Sequence, residues 1–153
     1  MPAGTVRKFA RGLRNTFDMI WDAAHHRIIV ADNGPAIGDD INVIFEGANL
    51  GWPFTFAGGP PAPGVTAPVY RFTNTVAPTG ILALSGANQQ LRSGILLGTF
   101  VAKAIYFIPN IDVRPLPDPI ALIAKETGSI IDVAQNPQGD IVGYYDNHGF
   151  LLS

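Results

Sequence analysis

Asn33, Gly34 and Pro35 run into the adjacent carboxylates Asp39 and Asp40, the chain's densest cluster of oxygen chemistry. Asn33-Gly34 permits a positive φ and hence a tight turn; Pro35 then fixes φ and removes a donor. Such a bend crowds backbone carbonyls beside carboxylates. Hard cations such as calcium take several oxygens from tightly bent backbone. The helix-loop-helix calcium hand does not fit. Counted from Asp32, its third and fifth positions fall on Gly34 and Ala36, and its terminal glutamate position falls on Val43. A tight turn with a solvated acidic rim accounts for the same residues, and the residues alone leave both readings open. Asp39 and Asp40 are neighbours on an extended segment, so they are expected on opposite faces, a poor arrangement for shared acid-base work.

Other chemistry-bearing side chains give less. His25 and His26 fall in an expected hairpin turn, and two neighbouring histidines are a weak metal signal. His148 is next to a turn glycine. No Ser/His/Asp set can be named, because a triad is a geometry and not a spacing. Trp52 is expected to pack rather than stack on a ligand, and Trp21 alternates with core residues. Tyr70, Tyr106, Tyr144 and Tyr145 read as strand residues.

The elements that must position these groups are short strands. Charged residues make up 14% of the 153 residues, beside 47% hydrophobic, 17 Gly and 13 Pro. Low charge with many turn-formers predicts strands joined by tight turns, and the length suffices for one domain with a sizeable core. A net charge of -2 gives no reason to expect nucleic acid, despite the small basic cluster of Arg7, Lys8, Arg11 and Arg14. There is no cysteine, so no disulfide staples the fold and the compartment is not readable. No apolar run is long enough for a membrane span, and no apolar signal core follows the N-terminal basic residues.

The pattern divides into three imperfect repeats, about 12–53, 80–109 and 128–153, opening at Gly12, Gly80 and Gly128. In the first, strands are expected over Phe17–Trp21, Arg27–Ala31 and Ile41–Phe45. The second has Ile81–Leu84, Gly94–Phe100 and Ala104–Ile108; the third has Ser129–Ala134, Asp140–Tyr145 and Phe150–Leu152. Val69–Phe72, Ile120–Lys125 and Thr5–Phe9 are candidate outer strands. A repeated four-stranded unit of this length predicts an all-β chain of propeller blades. The Pro- and Gly-rich stretch 54–68 is a loop over one sheet face. It is not a phosphate cradle, since neither a lysine nor a helix follows it.

Three motifs occur in order. They are Gly12-Leu13-Arg14-Asn15, then Asn33-Gly34-Pro35 followed by Asp39-Asp40-Ile41-Asn42, then Gly47-Ala48-Asn49-Leu50-Gly51-Trp52-Pro53. Together they resemble the C-terminal half of the soluble quinoprotein glucose/sorbosone dehydrogenases. That family consists of six-bladed β-propellers using pyrroloquinoline quinone (PQQ) and calcium to oxidise sugars. The resemblance implies that Arg14 and Asn15 contact the quinone. A guanidinium there can hold a carboxylate and stabilise charge developing on hydride acceptance. It also implies that Asn33, Gly34, Pro35 and Asp39 form the calcium region, with the Gly-Pro carbonyls as ligands.

Departures from the family pattern accompany these matches. The family's catalytic histidine belongs to the half with no counterpart here. Val101 stands where a cofactor-contacting lysine is expected, and Ser129 and Ile131 stand where arginines are expected. Two readings follow: a portion of a PQQ-dependent sugar dehydrogenase, or a non-catalytic binding module of that lineage. Three blades leave apolar sheet faces at both ends, so a homodimer or a missing N-terminal half is expected to cover them. The family is mostly exported, whereas this sequence shows no signal peptide, and the compartment stays unknown.

Overall fold

The computed structural model describes residues 4–55, 61–87, 91, 93–124, 128–145 and 148–152. No helix occurs among them. Three antiparallel sheets follow one another along the chain. The first is β1 (Thr16–Asp22), β2 (Arg27–Asp32), β3 (Asp40–Ile44) and β4 (Tyr70–Arg71). The second is β5 (Pro78–Ala83), β6 (Ile95–Thr99), β7 (Ala104–Ile108) and β8 (Ile120–Ala124). The third is β9 (Ile130–Gln135), β10 (Ile141–Tyr145) and β11 (His148–Leu152), with three strands among the described residues where four were expected. Each sheet is a meander in which sequence neighbours pair.

The first strand of every sheet carries an irregularity at the same place. The register slips by one residue between Thr16 and Met19, between Pro78 and Ile81, and at Ile131 opposite Tyr144 and Tyr145. A bulge frees a backbone N–H and re-aims a side chain. Here the freed N–H of Ile81 donates to the Asp18 carboxylate across the gap between the first two sheets, at 3.1 Å.

Packing between sheets makes the core. Ile29, Ala31, Ile41 and Val43 of the first sheet meet Ile81, Ile95, Leu97 and Ile108 of the second. The opposite face of the second sheet presents Leu96, Ile105 and Phe107 to Ile130, Val133 and Ile141 of the third. The middle sheet is covered on both faces, which is why β6 reads as an unbroken buried run instead of an alternation. Gly80 lies inside β5 and does not open the repeat. A Cβ there would sit 2.4 Å from the Asp132 carboxylate, so the second and third sheets can approach only at a glycine. A buried Arg27 clamps the outer surface. Its Nε donates to Asp22 at 2.7 Å, and its two terminal nitrogens donate to Asp112 at 2.5 and 3.0 Å. The guanidinium holds both carboxyls below their usual range.

Two expectations are corrected. Thr5–Phe9 forms no strand. Instead, Phe9 to Gly12 runs parallel to Gly47–Trp52, exchanging backbone bonds such as Arg11 N–H to the Ala48 carbonyl at 3.0 Å. Trp21 does not enter the core. It is 50% exposed on the outward face of β1 and meets Phe9 and His26 edge-on. The alternation was read correctly, but among the described residues this face of the first sheet has no further sheet against it.

Candidate functional site

Gly12 and Gly51 are the hinge on which the site is built. Gly12 has φ +83°, and a Cβ on it would lie 2.5 Å from the Gly51 nitrogen. The GLRN segment and the GWP exit are therefore one unit in space, and the close approach requires glycine. Their junction delivers Arg14 and Asn15 to the end of the sheets where β1, β5 and β9 begin.

Asp32, at the close of β2, fixes that segment. Its carboxylate accepts the backbone N–H groups of Arg14 and Asn15 and the Thr16 hydroxyl, each at 2.8 Å. Asn33 completes the attachment: its amide donates to the Asn15 carbonyl at 3.0 Å and the Pro78 carbonyl at 2.9 Å, tying the site to the second sheet. Arg14 Nη1 in turn donates to the carbonyls of Asn33 and Gly34, at 3.0 and 2.9 Å. The guanidinium carbon lies 5.4 Å from the centre of the Trp52 ring, within cation–π range.

The two aspartates separate as expected for an extended pair, with very different surroundings. Asp39 is 1% exposed and points inward. It accepts the backbone N–H groups of Gly34 at 2.9 Å and of Val76 and Ala77 at 2.8 Å each. It is a staple between the β2–β3 loop and the link into the second sheet. Asp40 faces the other way, into a cavity of about 330 Å³ whose lining includes Arg14, Asp40, Asn42, Trp52, Tyr70 and Arg71. Asn42 donates to it at 2.6 Å, and Arg71 approaches only to 3.7 Å. Burial, with the charges of Asp32 and Asp39 nearby, pushes the Asp40 carboxyl up to about 6. The buried Nε of Arg71 has no hydrogen-bond partner among the described residues.

Asp40 yields a pH prediction. Its folded pKa lies above the usual carboxylate value near ~3.9, so the folded state binds the extra proton. The resulting stability is present at low pH and is lost as pH rises through about 6. Asp40→Asn is expected to remove this pH dependence and to raise stability at pH 8 by roughly 3 kcal/mol, at about 1.4 kcal/mol per pKa unit. Urea unfolding at pH 5 and pH 8 checks it. Equal pH dependence in the two proteins would show that Asp40 titrates normally.

The remaining sequence candidates fall in two places. His25 and His26 occupy the β1–β2 turn at the far end of the sheet. There His25 Nδ1 contacts Asp22 at 2.9 Å and His26 lies against Trp21. Val101 is exposed in the β6–β7 turn, at the same end as Arg14, and Lys103 is an exposed cation in that turn. Ile131 is the bulged residue of β9. Among the described residues no three His, Cys, Asp or Glu side chains gather as a metal site. Sequence reading assigned no site role to Asp32, Asn42 or Arg71. For Asp32 a signal existed: a strand-ending carboxylate directly before Asn-Gly.

Known proteins share this fold. The aldose sugar dehydrogenase of Streptomyces coelicolor, solved with PQQ bound, superposes with a TM-score of 0.76 at 24% identity over 95% of this chain and 41% of that one. The apo aldose sugar dehydrogenase of Escherichia coli gives 0.76 at 21% identity over 99% and 48%. A glucose dehydrogenase gives 0.80 at 20% identity over 94% and 45%. An uncharacterized Synechocystis protein is 23% identical, covering 99% of this chain and 39% of that protein. The chain thus spans less than half the length of these proteins. The solved structures carry the all-β propeller-type fold, and the family model for glucose/sorbosone dehydrogenases matches residues 4–153. With the three motifs joined in space at one end of the sheets, the chain belongs to the glucose/sorbosone dehydrogenase family.

Proposed function

We propose that this chain is the quinone-binding, C-terminal portion of a PQQ-dependent sugar dehydrogenase-type propeller, contributing three of its blades. The observation that carries the reading is the double anchoring of Arg14 and Asn15 by Asp32 and Asn33. That anchoring fixes the approach of an exposed guanidinium and amide without using their outward faces. Arg14 would pair with a quinone carboxylate, Asn15 would hydrogen-bond beside it, and Lys103 would supply a second cation from the neighbouring turn. PQQ, when bound, is the hydride acceptor in sugar oxidation. A second reading, a non-catalytic binding module, draws support from Val101 and Ile131, apolar residues where the resemblance expects cations.

Calcium fits less well. The Asn33 and Gly34 carbonyls already accept from Arg14, and both Asp39 oxygens accept backbone N–H groups. No step is assigned to it.

Quenching of tryptophan fluorescence on PQQ addition tests the reading, since Trp52 lies beside Arg14. Saturable quenching is expected, weakened about tenfold in Arg14→Ala, equivalent to loss of one charge-assisted contact of roughly 1.4 kcal/mol. The isolated chain is expected to show no dye-linked aldose oxidation. Quenching that is absent, or indifferent to Arg14→Ala, would remove Arg14 from any quinone site.

A further inference from the structure

We infer that Arg14 serves as the built-in cation of the β2–β3 loop, so that the loop holds its shape without a divalent metal. The Asn33 and Gly34 carbonyls and the Asp39 carboxylate, oxygens that a hard cation would use, are engaged from within. Arg14 Nη1 donates to the Asn33 and Gly34 carbonyls at 3.0 and 2.9 Å. The Ala36 carbonyl accepts the Thr75 hydroxyl, and the Asp39 carbonyl accepts Phe72 N–H at 2.9 Å. The Asp39 carboxylate is spent on Gly34, Val76 and Ala77, and the Asp32 carboxylate on Arg14, Asn15 and Thr16.

A carbonyl has a second lone pair, so the hydrogen bonds alone do not exclude a metal. The charge does more. An ion on the Asn33 and Gly34 oxygens would lie within a few ångströms of a guanidinium that is always protonated, and like charges at that range repel strongly. A calcium ion also wants about six to eight oxygens, and most of those in this loop already have donors. The guanidinium has itself been placed by structure. The Arg14 backbone N–H is held by Asp32, and the guanidinium carbon lies over the Trp52 ring, an aromatic face that favours a cation. A tethered positive charge thus sits against the Asn33 and Gly34 carbonyls.

Removing the charge should expose the metal-like character of the crown. The test compares the wild-type chain with Arg14→Met and Arg14→Lys by thermal unfolding, with EDTA or with millimolar calcium. Terbium luminescence sensitised by Trp52 is a second readout. Expected are a wild-type midpoint unchanged by either addition and no saturable terbium signal. Arg14→Met should melt lower than wild type, recover part of the loss in calcium, and acquire a terbium signal. Arg14→Lys should behave like wild type towards metal. Saturable terbium binding by the wild type, or a wild-type midpoint lowered by EDTA, would overturn the inference. So would an Arg14→Met chain that ignores calcium and terbium, because the guanidinium would then not be standing in for a cation. The inference concerns a residue also used by the quinone reading, but its readouts contain no quinone. Failure of PQQ to bind would leave it intact.

Discussion

Light scattering on the purified chain is expected to return twice the monomer mass, with a melting temperature that rises with protein concentration. Each end of the stack of sheets carries an apolar face. On the first sheet, Phe17, Met19 and Trp21 are 68%, 60% and 50% exposed along β1. Beside them an apolar cavity of about 310 Å³ opens between Lys8–Leu13 and Ile28, Val30 and Ile44. On the third sheet, Ile131 and Val142 are 39% and 37% exposed. Contiguous apolar surface of this kind seldom stays wet on a monomer. The two faces are also of the kinds that meet within the chain, where a later sheet packs its first strand against the sheet before it. A second copy related by a two-fold axis would set the first sheet of each against the third of the other. Two copies would then carry close to the length of one glucose dehydrogenase neighbour, of which this chain covers 45%.

Met19→Glu is the sharp variant. The residue is exposed in the single chain, so the change costs little in folding, but it puts a charge in the centre of the proposed contact. Burial of an unpaired charge is expensive enough to raise the dissociation constant at least about a hundredfold, or ~2.7 kcal/mol. A sharp monomer peak for the wild type, with concentration-independent unfolding, would dismiss the second copy as the occupant of these faces.

The other large effect is expected at Asp39. Asp39→Ala removes the acceptor of three N–H groups, a buried one on Val76 and part-buried ones on Gly34 and Ala77. Hydrogen bonds to a charged acceptor contribute about 1.5–3 kcal/mol each and are not additive, so a loss of roughly 3–5 kcal/mol is expected. That corresponds to a fall in melting temperature on the order of 10 °C for a domain of this size. Asp39→Asn keeps one acceptor oxygen and should lose less. Both should lose the same amount in EDTA as without it, since the carboxylate holds backbone and not a metal. Denaturant unfolding at fixed protein concentration measures the loss. A change under ~1 kcal/mol for Asp39→Ala would mean that the loop and the link relax to satisfy each other.

The sequence by itself determined most of the strands and the motif glycines. Alternation in β1 and the unbroken apolar runs of β6 and β7 are local properties, visible because a strand's side chains repeat every second residue. Gly12 and Gly51 were legible as motif glycines, and their contact follows from the same close approach that demands them. What only tertiary structure decided was the identity of each residue's neighbours across the gaps. Asp39 and Asp40 look alike in the chain, yet one is stapled to Val76 and Ala77 and the other lies in a cavity beside Arg71 with its carboxyl pushed up to about 6. Trp21 has a core-like pattern, but whether its face is covered depends on a further sheet, and no pattern within β1 encodes that. Burial and pKa are set by the groups that arrive from distant segments, so the residue types name the possible chemistry and packing chooses among them.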